Sequence, residues 1–336
     1  MKKKLLLSIS ALFTSMYLFA QITVSNTQTA TQLVQNVLMG FGVTASNISV
    51  NGVPFSANNV YPNITYFNAG TTSFPIQSGV LLTTGNGSGA KGPNSSPSFT
   101  ANTPATPSVA TDPHLNAIIP GTTPLPTNGV VLEFDFVPAG DTISFKYMFG
   151  SDEYPEFANS SFNDAFGFFL WGPGISGPYV LAGYPAGGQT LAVIPGTTTP
   201  VTINTVNPTQ NPTYYTNNQS GAAYGSAIQY DGTTVLLSAN ASVQCGQTYH
   251  IKLAISNVGD QSYDSGVFLE AGSFSSAAVD VAVATVSGDT TIVEGCTFAD
   301  FIFTRPAGQT NDTLIINYTI GGVAQQGVDY NNLVNP

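Results

Sequence analysis

The stretch FGSDEYPEFANSSFNDAFGFFL, residues 149–170, divides into two halves of different physical character. Residues 149–164 set Asp152, Glu153, Glu156 and Asp164 among the turn formers Gly150, Ser151, Pro155, Asn159 and Asn163, which predicts a loop rich in oxygen ligands. Residues 165–170, AFGFFL, form a short apolar run closed by Trp171-Gly172-Pro173, the pattern of a buried strand. A carboxylate loop continued by a core strand has its last acid, Asp164, fixed in direction by the strand. The design recurs at residues 256–265, SNVGDQSYDS, where Asp260 and Asp264 precede the apolar run 266–271. Hard oxygen donors gathered from two such turns suit a divalent cation, whereas a single acidic turn capped by its own hydrogen bonds needs none.

Outward from this stretch the pattern is that of strands. VVLEFDFV, residues 130–137, alternates strictly, with Leu132, Phe134 and Phe136 on one face and Glu133 and Asp135 on the other. TISFKYMF, residues 142–149, is a second alternating run, and the intervening PAGD predicts a hairpin between the two. Further strands are predicted at residues 43–53, 78–84, 179–182, 190–194, 201–206, 233–239 and 249–255. One helix is predicted over residues 29–39, where Ala30, Leu33, Val34, Val37 and Leu38 share a face and Gly40 can end it. Residues 85–127 are dominated by Gly, Ser, Asn, Pro and Thr and read as a long surface excursion whose titratable patch is Asp112-Pro113-His114-Leu115. The fold class is therefore all-β: an antiparallel, jelly-roll-like β-sandwich with one short N-terminal helix.

Composition fixes the setting. Lys2, Lys3 and Lys4, the apolar run 5–19 and a cleavage point near Ala20 form a secretory signal peptide over residues 1–20. Its removal leaves Lys91, Lys146, Lys252 and Arg305 against eighteen acids. Such a surface argues against nucleic acid or anionic lipid as partner, and no later stretch is long and apolar enough for membrane insertion. Cys245 and Cys296, fifty-one positions apart, are a disulfide candidate in an exported chain, and Cys296 can equally pair elsewhere. His114 and His250 are the only imidazoles, and the spacing of histidines and cysteines is not that of a zinc site. No nucleophile elbow or paired-histidine metalloprotease motif is present, which leaves paired carboxylates such as Glu153 and Asp164 as the one route to an enzyme, a glycan hydrolase.

FGSDEYPEF with FNDAFGFFL, then YDGTTVLLSA, then CGQTYHIKLAISNVGDQSYDSGVFLEAGSF resemble, in that order, the choice-of-anchor L domain of secreted and surface-attached bacterial proteins, notably of Bacteroidota. The resemblance implies a β-sandwich over residues 21–278 displayed outside the cell on proteins whose C-terminal anchoring devices vary. Residues 279–336, with TIVEG at 291–295 and GVDY at 327–330, are similar to the first half of a Calx-beta-like domain, an incomplete immunoglobulin-like β-sandwich; that resemblance implies calcium-binding roles for Glu294 and Asp329. Resemblance also implies a missing C-terminal anchor, of the kind used in type IX secretion, and a location in the medium or on the outer-membrane surface of a Gram-negative bacterium.

The expected function is a non-enzymatic adhesion or display module. Ca²⁺ would be held by Asp152, Glu153, Asp164, Asp260 and Asp264 converging on one edge of the first domain, and the partner would be an extracellular protein or glycan. The alternative is a carbohydrate-binding or glycan-hydrolysing module, which would show a cleft of loop tyrosines beside paired acids. Tyr154, Phe157, Tyr179, Tyr184, Tyr214, Tyr215 and Tyr224 are the candidate rings.

Overall fold

A computed structural model describes residues 20–54, 59–101, 112–119, 126–276, 280–285 and 299–304. Residues 1–19 of the predicted signal peptide, and Glu294, Cys296 and Asp329, lie outside the described residues.

In chain order the strands are β1 (Thr23–Ser25), β2 (Val43–Val50), β3 (Val53–Pro54), β4 (Ile64–Asn68), β5 (Ser78–Thr83), β6 (Pro126–Pro138), β7 (Thr142–Ser151), β8 (Ala165–Trp171) and β9 (Tyr179–Leu181). They continue as β10 (Tyr184–Thr190), β11 (Tyr215–Asn217), β12 (Gly232–Thr234), β13 (Leu237–Ser242), β14 (Tyr249–Val258), β15 (Ser265–Glu270), β16 (Asp280–Thr285) and β17 (Ala299–Thr304). One sheet has the order β1-β4-β5-β15-β7-β12-β11, with β13 also on β7. The second has the order β3-β2-β6-β14-β8-β10-β9, and β16 pairs with β17 separately. The described pairings within these sheets are antiparallel, and the two large sheets form the predicted sandwich.

Alternation in the sequence becomes layering. Phe145, Tyr147 and Phe149 of β7 face Phe166 and Phe168 of β8 across the interior, with Tyr147–Phe168 ring centroids 4.9 Å apart and Phe149–Phe166 stacked at 4.8 Å. Burial of each such ring contributes about 1.5–3 kcal/mol, so this aromatic seam dominates the stability of the centre. The outer face of β8 is covered as well: Phe169 and Trp171 pack under Leu115, Ile118 and Ile119 at a short helix, α2 (Pro113–Ile118). That explains why AFGFFL is continuously apolar rather than alternating.

The N-terminal helix forms as predicted, with Thr29 as its cap: Thr29 Oγ1 accepts from the Gln32 N–H and Gln32 Oε1 accepts from the Thr29 N–H, a reciprocal capping box. It opens as an α-turn, α1 (Ala30–Gln32), and widens so that the Met39 N–H reaches the Val34 carbonyl five residues back.

Three expectations are corrected. β6 and β7 do not form a hairpin; they belong to opposite sheets, and residues 138–141 cross between them. Both strands alternate because each turns one face to the same interior, and a period of two cannot tell a paired neighbour from a facing one. The expected surface excursion is met only in part: residues 93–101 are exposed or half-buried loop, but the flanking segments are not. Gly85, Ala90, Asp112, His114 and Leu115 are buried, and these segments cover the outer faces of the sheets. Beyond Pro173, Thr190 ends β10, but residues 191–194 and 201–206 contribute only isolated bridges, Val193 to Pro200 and Ala165 to Thr202, because Pro195 and Pro200 remove donors from a continuous ladder.

Candidate cation site

β7 delivers the chain to Ser151 at one end of the sandwich, and the loop 152–164 folds back into β8. Amides hold this loop. The Asn159 N–H donates to Asn204 Oδ1 (2.6 Å), the Asn204 N–H to Asn163 Oδ1 (2.9 Å), and Asn204 Nδ2 to the Ser160 carbonyl (2.8 Å). Tyr154 is fully buried and donates its hydroxyl to the Val206 carbonyl at 2.6 Å. The loop is thus pinned by side-chain bonds that stand in for a sheet ladder.

All five predicted acids lie at this end, but the first sheet sorts them. β12 pairs Gly232 with Ser151, and β15 pairs Ser265 with the same Ser151. Immediately beyond these last pairs, at the ends of the three adjacent strands, come Asp231, Asp152 and Asp264. The Asp152 N–H donates to the Asp264 carbonyl at 3.0 Å, as that register requires. Residues directly opposite in such a ladder point to the same face with Cβ atoms about 4.5–5.5 Å apart. This is the outer face of the sheet, where Tyr230 lies so close over Gly150 that a Cβ there would be 2.8 Å from its ring.

Glu153, one residue on, falls with Ser151 on the opposite side, toward Asp164. The Glu153 N–H donates to Ser151 Oγ (2.9 Å), and Ser265 Oγ lies 2.8 Å from Ser151 Oγ and donates to Asp164 Oδ2 at 2.6 Å. Asp164 Oδ1 accepts the Val258 N–H at 2.8 Å. Asp260 is exposed at the rim, with its Oδ1 accepting the Ser262 N–H.

Solvent is excluded from the rest. Asp152 and Asp164 are 0% exposed, Glu153 and Asp231 1%, and Asp264 4%. Both carboxylate oxygens of Asp152 and both of Glu153 are sealed without a hydrogen-bond partner, as are Asp231 Oδ2, Asp264 Oδ1 and the amide oxygen of Asn257. Burial first, then the charges of Asp231 and Asp264, raise Asp152 well above the usual carboxylate range, with the Gln229 amide and the Asp231 backbone near enough to soften the shift. Burial followed by Asp164, Asp260 and Asp152 raises Glu153 far above it. Asp164 is raised by burial despite its bonds from Ser265 and Val258, and burial lifts Asp264 to about 7 against the Ala101 N–H and the Thr84 hydroxyl. A row of sealed like charges is unstable unless a proton or a cation neutralises it.

Among the described residues no three His, Cys, Asp or Glu side chains form a ready-made metal cage. The sorting explains this: adjacent acids pair across strands, while the ends of the row stand two strand spacings apart. An ion here must complete its shell from carbonyl, hydroxyl, amide or water oxygens, which calcium accepts in a shell of six to eight.

Other predicted features fall elsewhere. Tyr154, Tyr179 and Tyr224 are buried, and Phe157, Tyr184, Tyr214 and Tyr215 half-buried, so the loop rings seal the sandwich rather than present a platform. Phe157, for example, packs on Phe162 and Tyr263. An open cleft of about 580 Å³ lies between residues 176–179, 189–198 and β13, lined by Ser176, Thr190, Thr197, Ser238 and Asn240 and by no carboxylate. Cys245 carries a free, exposed thiol bonded to the Ala139 carbonyl at 3.1 Å; its candidate partner lies outside the described residues. Asp231 was absent from the predicted set. Its signal was available, since Asp164, Asp231 and Asp264 each immediately precede a buried strand.

Among the described residues no helix is long and apolar enough to cross a membrane. No curated protein and no solved structure matches the chain. A family model described as the choice-of-anchor L domain matches residues 22–275, which takes in both sheets and every acid of the site. The family is not an enzyme family, and membership points to a secreted or surface-associated module outside the cell. The chain belongs to the choice-of-anchor L domain family.

Proposed function

We propose that this chain is a non-enzymatic adhesion or display module whose acidic end is locked by Ca²⁺, with Glu153, Asp164 and Asp260 supplying carboxylates on the interior side and Asp152 and Asp264 behind them. The observation that carries this reading is the sealing of both carboxylate oxygens of Glu153 with no donor on either, beside the equally buried Asp152 and Asp164. A cation would tie the 152–164 loop to the 256–264 turn, two segments far apart in sequence, and so stiffen the end most distant from the crossover at residues 138–141. A surface module benefits from such a lock because calcium is abundant outside cells and loops at a sandwich end are where partners dock.

The partner fits an extracellular protein or glycan. The family supports a surface role over the glycan-hydrolase alternative. The finer placement belongs to the same proposal: a Bacteroidota protein on the outer-membrane surface, a Calx-beta-like segment with Glu294 and Asp329 following the first domain, and a type IX sorting device further on. It rests on resemblance alone.

The test is thermal unfolding of the full mature chain in EDTA, then with calcium or magnesium added. A calcium-selective rise in melting temperature that is lost in Glu153→Gln and Asp164→Asn supports the lock, since a ligand that binds only the folded state must raise its stability. An unchanged melting temperature across millimolar calcium refutes it.

A further inference from the structure

The carboxylate row on the outer face of the first sheet has a feature that the interior group lacks: a cover. Residues 94–101 run across it and are tied at both ends. At one end Asn94 Nδ2 donates to Asp231 Oδ1 (2.7 Å) and to the Asn218 carbonyl (3.0 Å), and Gln229 Nε2 donates to the Ser96 carbonyl (2.9 Å). At the other the Ala101 N–H donates to Asp264 Oδ2 (2.5 Å), the Asp264 N–H to the Phe99 carbonyl (3.3 Å), and the Tyr263 N–H to Thr100 Oγ1 (2.9 Å). Between these ties sits Asp152, whose oxygens make no well-formed hydrogen bond although the Gln229 amide and the Asp231 N–H lie near, beside the unpartnered Oδ2 of Asp231. Asp152 and Asp231 are thus both buried beneath the strap, on the side of the sheet away from Glu153.

We propose that Asp152 and Asp231 form a second divalent-cation centre, distinct from the one containing Glu153 and Asp164, and that its ion holds residues 94–101 closed over the sheet. Two carboxylates facing each other across adjacent strands repel by direct like-charge contact, and a hard dication between them converts that repulsion into the strongest tie at this edge. The strap supplies hydrogen bonds to Asp231 Oδ1 and Asp264 Oδ2 only, leaving Asp231 Oδ2 and both Asp152 oxygens to the ion. Carbonyl oxygens and water complete the shell. The inference rests on the calcium reading above and extends it from one centre to two, with Asp231 as the ligand that distinguishes them.

Counting ions tests it. The full mature chain, stripped with EDTA and freed of chelator, is titrated with Ca²⁺ by isothermal calorimetry. The expected result is two ions per chain in the parent protein, one in Asp231→Asn and one in Glu153→Gln. A single ion that Asp231→Asn retains and Glu153→Gln abolishes overturns the second centre while leaving the lock in place; no binding at all overturns both.

A second measurement does not depend on how Asp231→Asn folds. In Glu153→Gln, which keeps the second centre intact, calcium should slow chymotryptic cleavage after Phe99 on the order of tenfold, because the ion must be released before the strap opens. Cleavage at the same rate with and without calcium contradicts the proposal.

Discussion

Two regions of this sandwich remove acids from water, and they are neutralised differently. On the outer face of the second sheet, Asp112 caps α2 by accepting from the His114 and Leu115 N–H groups and forms an ion pair with Lys252. Lys252 also reaches His114 Nδ1 (3.1 Å), whose Nε2 lies 3.0 Å from the Val180 carbonyl, so His114 is the neutral tautomer that donates through Nε2. Its pKa is held down, chiefly by burial and further by Lys252. Nearby, His250 stands between Asp135 (2.8 Å) and Glu133 (3.6 Å). Every acid on that face has a basic partner from the protein.

At the acidic end there is none. The ion pairs among the described residues join Lys146 to Glu270, Lys252 to Asp112, and His250 to Glu133 and Asp135; none reaches Asp152, Glu153, Asp164, Asp231 or Asp264. A chain with seven lysines and arginines against eighteen acids cannot pair every acid internally, and the acids of this end are the ones without an ion-pair partner among the described residues. Where a lysine is present, the fold is self-sufficient. Where none is, stability should depend on what is dissolved around the protein.

Breaking the self-sufficient region should have the largest effect. Lys252→Met leaves Asp112 buried and uncompensated, with an expected loss of about 3–5 kcal/mol, and for a domain of this size a fall in melting temperature on the order of 10 °C. Adding Asp112→Asn to that variant should recover much of the loss, because the stranded charge goes while the cap remains. Thermal unfolding checks both. Calcium should leave the Lys252→Met deficit unchanged.

The acidic end should respond to solution conditions instead. Calcium at a hundredfold excess over its dissociation constant should add about 2.7 kcal/mol, a rise of roughly 5–10 °C in melting temperature. Asp152→Asn sharpens the contrast by acting in opposite directions in the two solutions. In chelator it removes the central charge of the row and should stabilise by about 1 kcal/mol. In calcium it should weaken binding and make the variant less stable than the parent.

The smallest effect is a pH dependence confined to the second sheet. Burial alone would lower His250, but the Glu133 and Asp135 carboxylates outweigh it and hold its pKa above the usual value. A base raised in the folded state stabilises fully below its unfolded pKa of about 6.5 and loses that contribution as pH climbs through the raised folded value. The side chains are partly exposed, so the loss should stay below about 1 kcal/mol, and His250→Gln should remove it. Denaturant titrations between pH 6 and 8 would show it.

How much of this was legible in the sequence differs between the two regions. The buried strand AFGFFL, the alternating runs at 130–137 and 142–149, the helix over residues 29–39 and the presence of acids at strand entries were all readable, because period and turn chemistry are local. The partner of β7 was not, since pairing and facing give the same alternation. Nor was the burial of residues such as Gly85, Ala90, Asp112, His114 and Leu115: polar composition says a segment cannot fold alone, not that it cannot cover a sheet made by others. The split of the acids across the sheet depended on cross-strand register, fixed by non-local pairs such as Gly232 with Ser151. Asp231 escaped for that reason, although its place before a strand matched that of Asp164 and Asp264.

The most direct measurement is a crystal structure of the full mature chain grown in calcium, with diffraction recorded where calcium scatters anomalously. The account predicts an anomalous peak about 2.3–2.6 Å from the carboxylate oxygens of Glu153, with Asp152 oxygens likewise coordinated. Glu153 and Asp152 oxygens with no peak near them at saturating calcium would contradict it, and would leave protons as the neutralising charge.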